Sequence, residues 1–268
     1  MQSQVEKIYL LLRGKEILER VICMKKKEIL KSGAPIITHS GGPKQFDGVA
    51  PSVDSDSISD HVTKHIGPIA SVFHEIVSRG VHLDVNWIAP TPSRPIHVLV
   101  TMGMSDLPMN VPKELKDDAY MELLVVLPGN WPLTKDALKD EQNYWPIRLL
   151  KDMARLPHDY NTWLGFGHTV PNGDPPVPYS SNTSFCCALI HPPILLFGNP
   201  DPVPFPLDFF KLRIDASKTI RFFTVLPMYA EEVAFKLDNG LDPLMDLYDQ
   251  HNVTSMIDIH RPNVCAGK

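Results

Sequence analysis

The 268-residue chain lacks most of the patterns that announce a chemistry. No G-x-S-x-G pentapeptide is present, so the strained elbow that exposes a hydrolase serine is absent. No P-loop lysine follows a glycine run, and Gly165-Phe166-Gly167 has no third glycine two residues on and leads into turn residues rather than a helix, so neither phosphate-binding template applies. The four cysteines, at 23, 186, 187 and 265, have no metal-ligand spacing. Cys186 and Cys187 are expected to point to opposite faces of a strand as buried free thiols in a reducing, cytoplasmic compartment. Long apolar runs are missing too. Ile8-Tyr9-Leu10-Leu11-Leu12 is too short to span a membrane and too interrupted for a secretory signal, so no membrane is expected as a partner. A formal charge of -5 supplies no general basic field, which argues against nucleic acid.

What the chain does have is proline. Its 26 prolines are about twice the usual share and imply short elements joined by stiff corners. Hydrophobic residues make up 43% and charged residues 21%, enough for a folded core. Residues 1–57 read as an N-terminal helix, over 4–31, followed by a turn-rich linker. Residues 58–268 read as the main domain. Within it, one helix is expected through Arg79, on the apolar stripe Ile66, Ile69, Ala70, Phe73, Ile76 and Val77. Alternation then predicts strands at Val81–Trp87, Ile96–Met102 and Met121–Leu127. Their short connections favour antiparallel pairing. Further strands are expected at Phe185–Phe197, at Thr219–Leu226 and around Met256–Ile259. Helix is expected over Ala230–Gln250, interrupted near Asn239-Gly240. Strands grouped with helices rather than alternating with them indicate α+β, with a mixed, largely antiparallel sheet and packed helices.

The most distinctive segment is Trp145–Asp174. It reads as a helix with Pro146 in its first turn and Asn143 as cap, stopped at Leu156-Pro157, and then as a glycine, histidine and aromatic loop. Candidate chemistry is sparse. His61 and His65 stand at i and i+4 on one helix face, with Glu75 further on, which is the best metal hint; Val62 occupies the place where a zincin needs its general base. His82 and Asp84 share a strand face and could pair. Glu231-Glu232 and Asp117-Asp118 read as solvated faces.

Several ordered motifs together resemble the suppressor of fused family, over about residues 60 to 265. They are Trp145-Pro146, Met153-Ala154-Arg155, Asn161-Thr162-Trp163 and Gly167-His168-Thr169-Val170. Gly103-Met104-Ser105-Asp106-Leu107, Tyr120-Met121-Glu122-Leu123, Tyr229-Ala230-Glu231-Glu232 and Gly240-Leu241-Asp242-Pro243-Leu244 agree with it. The segments HIGP, VFHEIV and WIAPTP are similar to the bacterial branch. The resemblance implies a non-enzymatic protein-binding module with no cofactor and no metal. Animal members are two-lobed and grip an extended peptide by strand addition; this sequence matches their first lobe. Bacterial relatives are associated with toxin systems, which implies an immunity protein whose partner is another polypeptide, a toxin domain. Candidate partner contacts are Asp106, Trp163, His168 and Asp174. The competing expectation is a metal-dependent hydrolase using His61, His65 and Glu75.

Overall fold

The computed structural model describes residues 31–33, 36, 52–74, 81–193, 196–197, 203–204 and 206–267. The N-terminal helix expected over 4–31 lies outside them, apart from residue 31. The first described helix, α1, is Ser55–His65, with Ile58, His61 and Val62 on its buried stripe. Asp56 in its first turn and Lys64 and His65 in its last complement the helix dipole. The helix expected through Arg79 therefore stops early. Gly67, with φ 146°, and Pro68 break it, and Ile69–Phe73 forms strand β1 instead. A stripe of 66, 69, 70 and 73 fits a helix in spacing. Tertiary pairing with the next strand decides otherwise.

β2 (Asp84–Ile88), β3 (Ile96–Met102) and β4 (Tyr120–Pro128) form the expected antiparallel meander, with β1 on the outside of β2. β5 (Thr169–Pro171) and β6 (Cys187–His191) pair antiparallel, and β7 (Leu196–Phe197) pairs with β8 (Val203–Pro204) in a small separate ladder. β9 (Lys211–Arg213) pairs with β10 (Thr219–Met228). β10 joins the two halves: it runs parallel to β4, with Ile220 opposite Tyr120, and antiparallel to β6. The strand order is β1-β2-β3-β4-β10-β6-β5. The sheet is thus mixed and mostly antiparallel, and the fold is α+β.

α2 spans Glu141–Asp159, longer at both ends than expected. Its cap is Asp140, whose carboxylate accepts the Gln142 N–H at 2.9 Å, rather than Asn143. It runs through Pro157, since proline disfavours but does not forbid helix before it, and Leu149, Leu150, Met153, Ala154 and Pro157 all gain burial by continuing. α3 (Ala230–Asn239) and α4 (Leu241–Gln250) divide at Gly240, whose φ of 94° only glycine adopts easily. The strand expected around Met256 is a single bridge to Val126, because Asp258 and Pro262 turn the chain away.

Strand alternation explains the layers. Leu99, Leu123, Val125 and Leu127 face α2 through Leu149, Leu150 and Met153. Val98, Val100, Leu124 and Val126 face α1 and Phe209. A third cluster packs Leu189, Leu226 and Met228 against α4. Both faces of the central strands are covered, which is why all seven residues of β3 are buried. The thiols of Cys186 and Cys187 do not diverge as expected. They meet at 3.9 Å, because Cys186 precedes β6 and escapes its alternation. None of the described helices is long and apolar enough to cross a membrane.

Candidate partner-binding site

The turn after β3 is built on one carboxylate. Glu122, fully buried in β4, accepts the Ser105 hydroxyl at 2.6 Å, the Ser105 N–H at 3.0 Å, the Gly103 N–H at 3.1 Å and the Thr101 hydroxyl at 2.5 Å. Burial pushes its carboxyl above the usual range, against those donors. Gly103 has φ 116°, and a Cβ there would lie 2.1 Å from the His82 carbonyl oxygen. Two stretches distant in sequence, Gly103–Leu107 and Tyr120–Leu123, are therefore one structural unit. A glutamate inside an apolar strand was the signal that could have shown it, since an unpaired buried carboxylate is prohibitive.

Asp106 leaves that turn toward the N-terminal side. Its Oδ1 accepts the Ser52 hydroxyl at 2.8 Å and the Val53 N–H at 3.3 Å. Burial raises its carboxyl, with those two bonds pulling the other way. Its chemistry is therefore committed to fixing the chain just before α1, where Lys218 also holds Asp54 at 2.5 Å. The same loop abuts the end of α2: His158 donates to the Met104 carbonyl at 3.0 Å, and the Asn110 N–H to the Thr162 carbonyl at 2.9 Å.

Trp163 and His168 are brought together, edge to face at 4.3 Å between ring centroids. The indole closes over Gly165, where a Cβ would sit 2.5 Å from the ring. His168 leads directly into β5, which among the described residues pairs with β6 alone and ends the order of the main sheet. The Ile190 N–H bonds the His168 carbonyl and the Asn172 N–H bonds the Cys186 carbonyl, so residues 168 and 172 face β6. Alternation then turns the backbone of Thr169 and Pro171 outward, and proline has no N–H to offer. Asp174 is exposed on the tip beyond β5, together with the exposed apolar Val177. Three of the four candidate contacts thus flank β5, whereas Asp106 braces a different corner.

The histidine pair is built into the packing between α1 and Phe209. His61 is buried, donates to the Phe209 carbonyl at 3.0 Å and packs against both Phe209 at 5.4 Å and Phe222 at 5.1 Å, which also touch each other at 4.9 Å. His65 lies 4.5 Å from it, ring to ring, and Glu75 lies outside the described residues. Burial lowers the pKa of both histidines. Among the described residues, no group of three or more His, Cys, Asp or Glu is placed to hold a metal ion. His82 does pair with Asp84, at 3.2 Å, and His74 takes the other oxygen at 3.0 Å.

At the late helix the expected solvated pair is divided. Glu231 is exposed, whereas Glu232 is wholly buried and receives both arms of Arg261, at 2.5 and 2.7 Å, and the Tyr248 hydroxyl at 2.9 Å. The guanidinium also lies over the rings of Phe185, Tyr229 and Tyr248. Beside this knot an open cleft of about 400 Å³ lies between Pro176, Pro178, Cys186 and the start of α3.

The domain is thus a mixed-sheet α+β fold whose buried charges brace its turns and in which, among the described residues, β5 ends the main sheet. The chain belongs to the suppressor of fused family: the sequence profile described as Suppressor of fused protein (SUFU) matches residues 79–262. Its fold is similar to that of a putative SUFU homolog from Neisseria gonorrhoeae, at 18% identity and a TM-score of 0.56, covering 78% of this chain and 96% of that one. It is similar also to a chain of the Sufu-Fu complex, at 12% identity and a TM-score of 0.55, covering 80% and 92%. Drosophila Suppressor of Fused gives 13% identity and a TM-score of 0.52, over 79% of this chain and 51% of that one. No curated protein sequence matches.

Proposed function

We propose that the chain is a non-enzymatic, cytoplasmic module that sequesters or neutralises a partner polypeptide by accepting an extended segment along β5. A toxin domain of a bacterial system is the partner class we favour, which makes the protein an immunity protein. The observation that carries this reading is the outer edge of β5, which has no partner strand among the described residues and is flanked by the Trp163–His168 pair and by the exposed Asp174 tip. An added strand would bond to the outward Thr169 backbone while side chains on alternate positions read the flanks. A similar fold occurring in a Sufu-Fu complex supports polypeptide binding as the general activity. The charge of -5 supports a basic partner, since opposite charge raises the association rate.

The test is co-expression with the toxin-like domain encoded beside the gene, with growth rescue and affinity as readouts. Thr169→Pro removes the outward N–H and is expected to weaken binding about tenfold or more. Ala70→Pro, on the opposite edge strand, serves as control and is expected to leave affinity unchanged. Absence of binding and rescue with any adjacent gene product would overturn the reading.

A further inference from the structure

The strand-addition reading makes no use of two thiols that meet at the start of β6. Cys186 and Cys187 are free and lie Sγ to Sγ at 3.9 Å, close to van der Waals contact. Neighbouring side chains in a regular strand point to opposite faces, so this approach depends on Cys186 standing just ahead of β6. The pair is not sealed off. Cys186 forms part of the wall of the open cleft beside α3, whose volume of about 400 Å³ admits a molecule the size of a peroxide, and Cys187 lies behind it, 1% exposed. The proton shared by the sulfurs sets their roles. Burial raises both thiols. At Cys186 the S–H donated by Cys187 works against that rise, while Glu231 of α3 adds to it. At Cys187 the charge on Cys186 and the same hydrogen bond add to burial, to about 12. Cys186 therefore carries the thiolate when one forms, and Cys187 holds the proton.

We propose that Cys186 and Cys187 are a redox site that hydrogen peroxide closes to a vicinal disulfide. The Cys186 thiolate attacks one peroxide oxygen, the O–O bond breaks, and the departing hydroxide takes up a proton, leaving a sulfenic acid and one water. The Cys187 thiol then attacks that sulfur, the S–S bond forms, and the sulfenic hydroxyl leaves with the Cys187 proton as a second water. The bridge is of the easily reduced kind, because adjacent Cα atoms, about 3.8 Å apart, fall short of the ordinary span of about 4.4–6.8 Å. It is also placed to act on the sheet. The Cys186 N–H bonds the Met228 carbonyl at 3.0 Å, and its carbonyl accepts the Asn172 N–H at 2.8 Å, the rung just past β5. Closing the gap to bonding distance draws both side chains to one side of the peptide between them, which the extended run into β6 does not allow. Oxidation therefore loosens the Pro171 end of β5. Its effect on a partner strand rests on the strand-addition reading.

The full chain, treated with hydrogen peroxide, alkylated and digested with trypsin, tests the site. The tryptic peptide 156–211 contains these two cysteines and no others. It is expected unalkylated and lighter by two hydrogens, and restored by dithiothreitol. Cys187→Ala should leave the sulfenic acid on Cys186 for dimedone to trap, whereas Cys186→Ala should yield no adduct in that peptide. Phenylarsine oxide, which condenses with two neighbouring thiols and releases water, should protect the unsubstituted chain one to one and so report the pair without a variant. In the bridged chain the Asn172 amide should exchange at least about tenfold faster than in the reduced one. The Ile190 amide, bonded to the His168 carbonyl at the far end of β5, should keep its rate. Two alkylated cysteines after peroxide, a sulfinic acid without a bridge, or a bridge between two chains overturns the site. Unchanged exchange at Asn172 overturns its hold on β5. If the bridge forms and no polypeptide partner is captured, the strand-addition reading fails and the redox site stands.

Discussion

At the scale of single residues, Arg261 and Glu232 carry the largest stake in stability. Both are buried, and their bidentate contact is closed by Tyr248 and by aromatic rings on the guanidinium faces. Arg261→Ala leaves a carboxylate stranded in the core and is expected to cost about 3–5 kcal/mol in urea unfolding. Arg261→Lys should recover little of it, because an ammonium can neither bridge both oxygens nor stack. His191 gives the pH signature. Burial lowers its pKa to about 4, Nδ1 donates to the Pro192 carbonyl at 2.9 Å, and Phe166 lies 5.4 Å from the ring. Between the ordinary value of 6.5 and about 4, the unfolded chain binds the proton and the folded one does not. Stability therefore falls as pH falls through that window, by about 3 kcal/mol for this one group. Urea midpoints measured across it should show the slope, and His191→Leu should reduce it, leaving the share of His61, His97 and His158, which burial also lowers. Neither residue was visible in the sequence. Glu231 and Glu232 are adjacent and alike, and only the rotation of α3 about its axis exposes the first and buries the second.

At the scale of elements, the turn from β3 to β4 shows how a short motif works. Gly103 supplies the positive φ, Ser105 the donors, and Glu122 of the next strand the acceptor. Gly103→Ala meets both the backbone clash and the φ penalty, and a loss of about 2–4 kcal/mol in chemical unfolding is expected. Gly165→Ala acts differently, by pushing the Trp163 ring off its seat. A red shift and loss of intensity in tryptophan fluorescence should report it, with a smaller loss of stability. Element legibility followed exposure. β3 was legible to the residue, from Ile96 to Met102, since alternation and a flanking turn agree there. α1 and β1 were merged into one helix because Ile69 and Phe73 serve both spacings and only the partner strand distinguishes them. The corner at Trp163–His168 was legible as a distinctive loop. That it leads into a terminal strand was not.

At the scale of the molecule, the candidate contacts divide between two tasks. Trp163, His168 and Asp174 stand about β5, whereas Asp106 fastens the chain ahead of α1 through Ser52 and Val53. The boundary expected at residue 57 falls within α1. A chain beginning at residue 58 is expected to melt below one beginning at 52, having lost the Asp54–Lys218 and Ser52–Asp106 contacts and about 3 kcal/mol. Differential scanning calorimetry of the two distinguishes them. The α+β class and the antiparallel meander could be read from grouped strands and short links. The parallel seam at the centre could not, because its partners Tyr120 and Ile220 share no local pattern.

That seam also sets an order of events during synthesis. β1 to β4 are complete once Pro128 has emerged, yet the sheet acquires its middle neighbour only when β10 is made, a hundred positions later. Until then the β10-facing edge of β4 lacks that partner over Tyr120 to Leu124, five residues of which four are buried in the finished fold. Such an edge invites pairing with another nascent chain. The growing protein is thus most exposed to aggregation between the emergence of β4 and that of β10, and slowed translation across that interval should lower soluble yield more than the same delay placed after Met228.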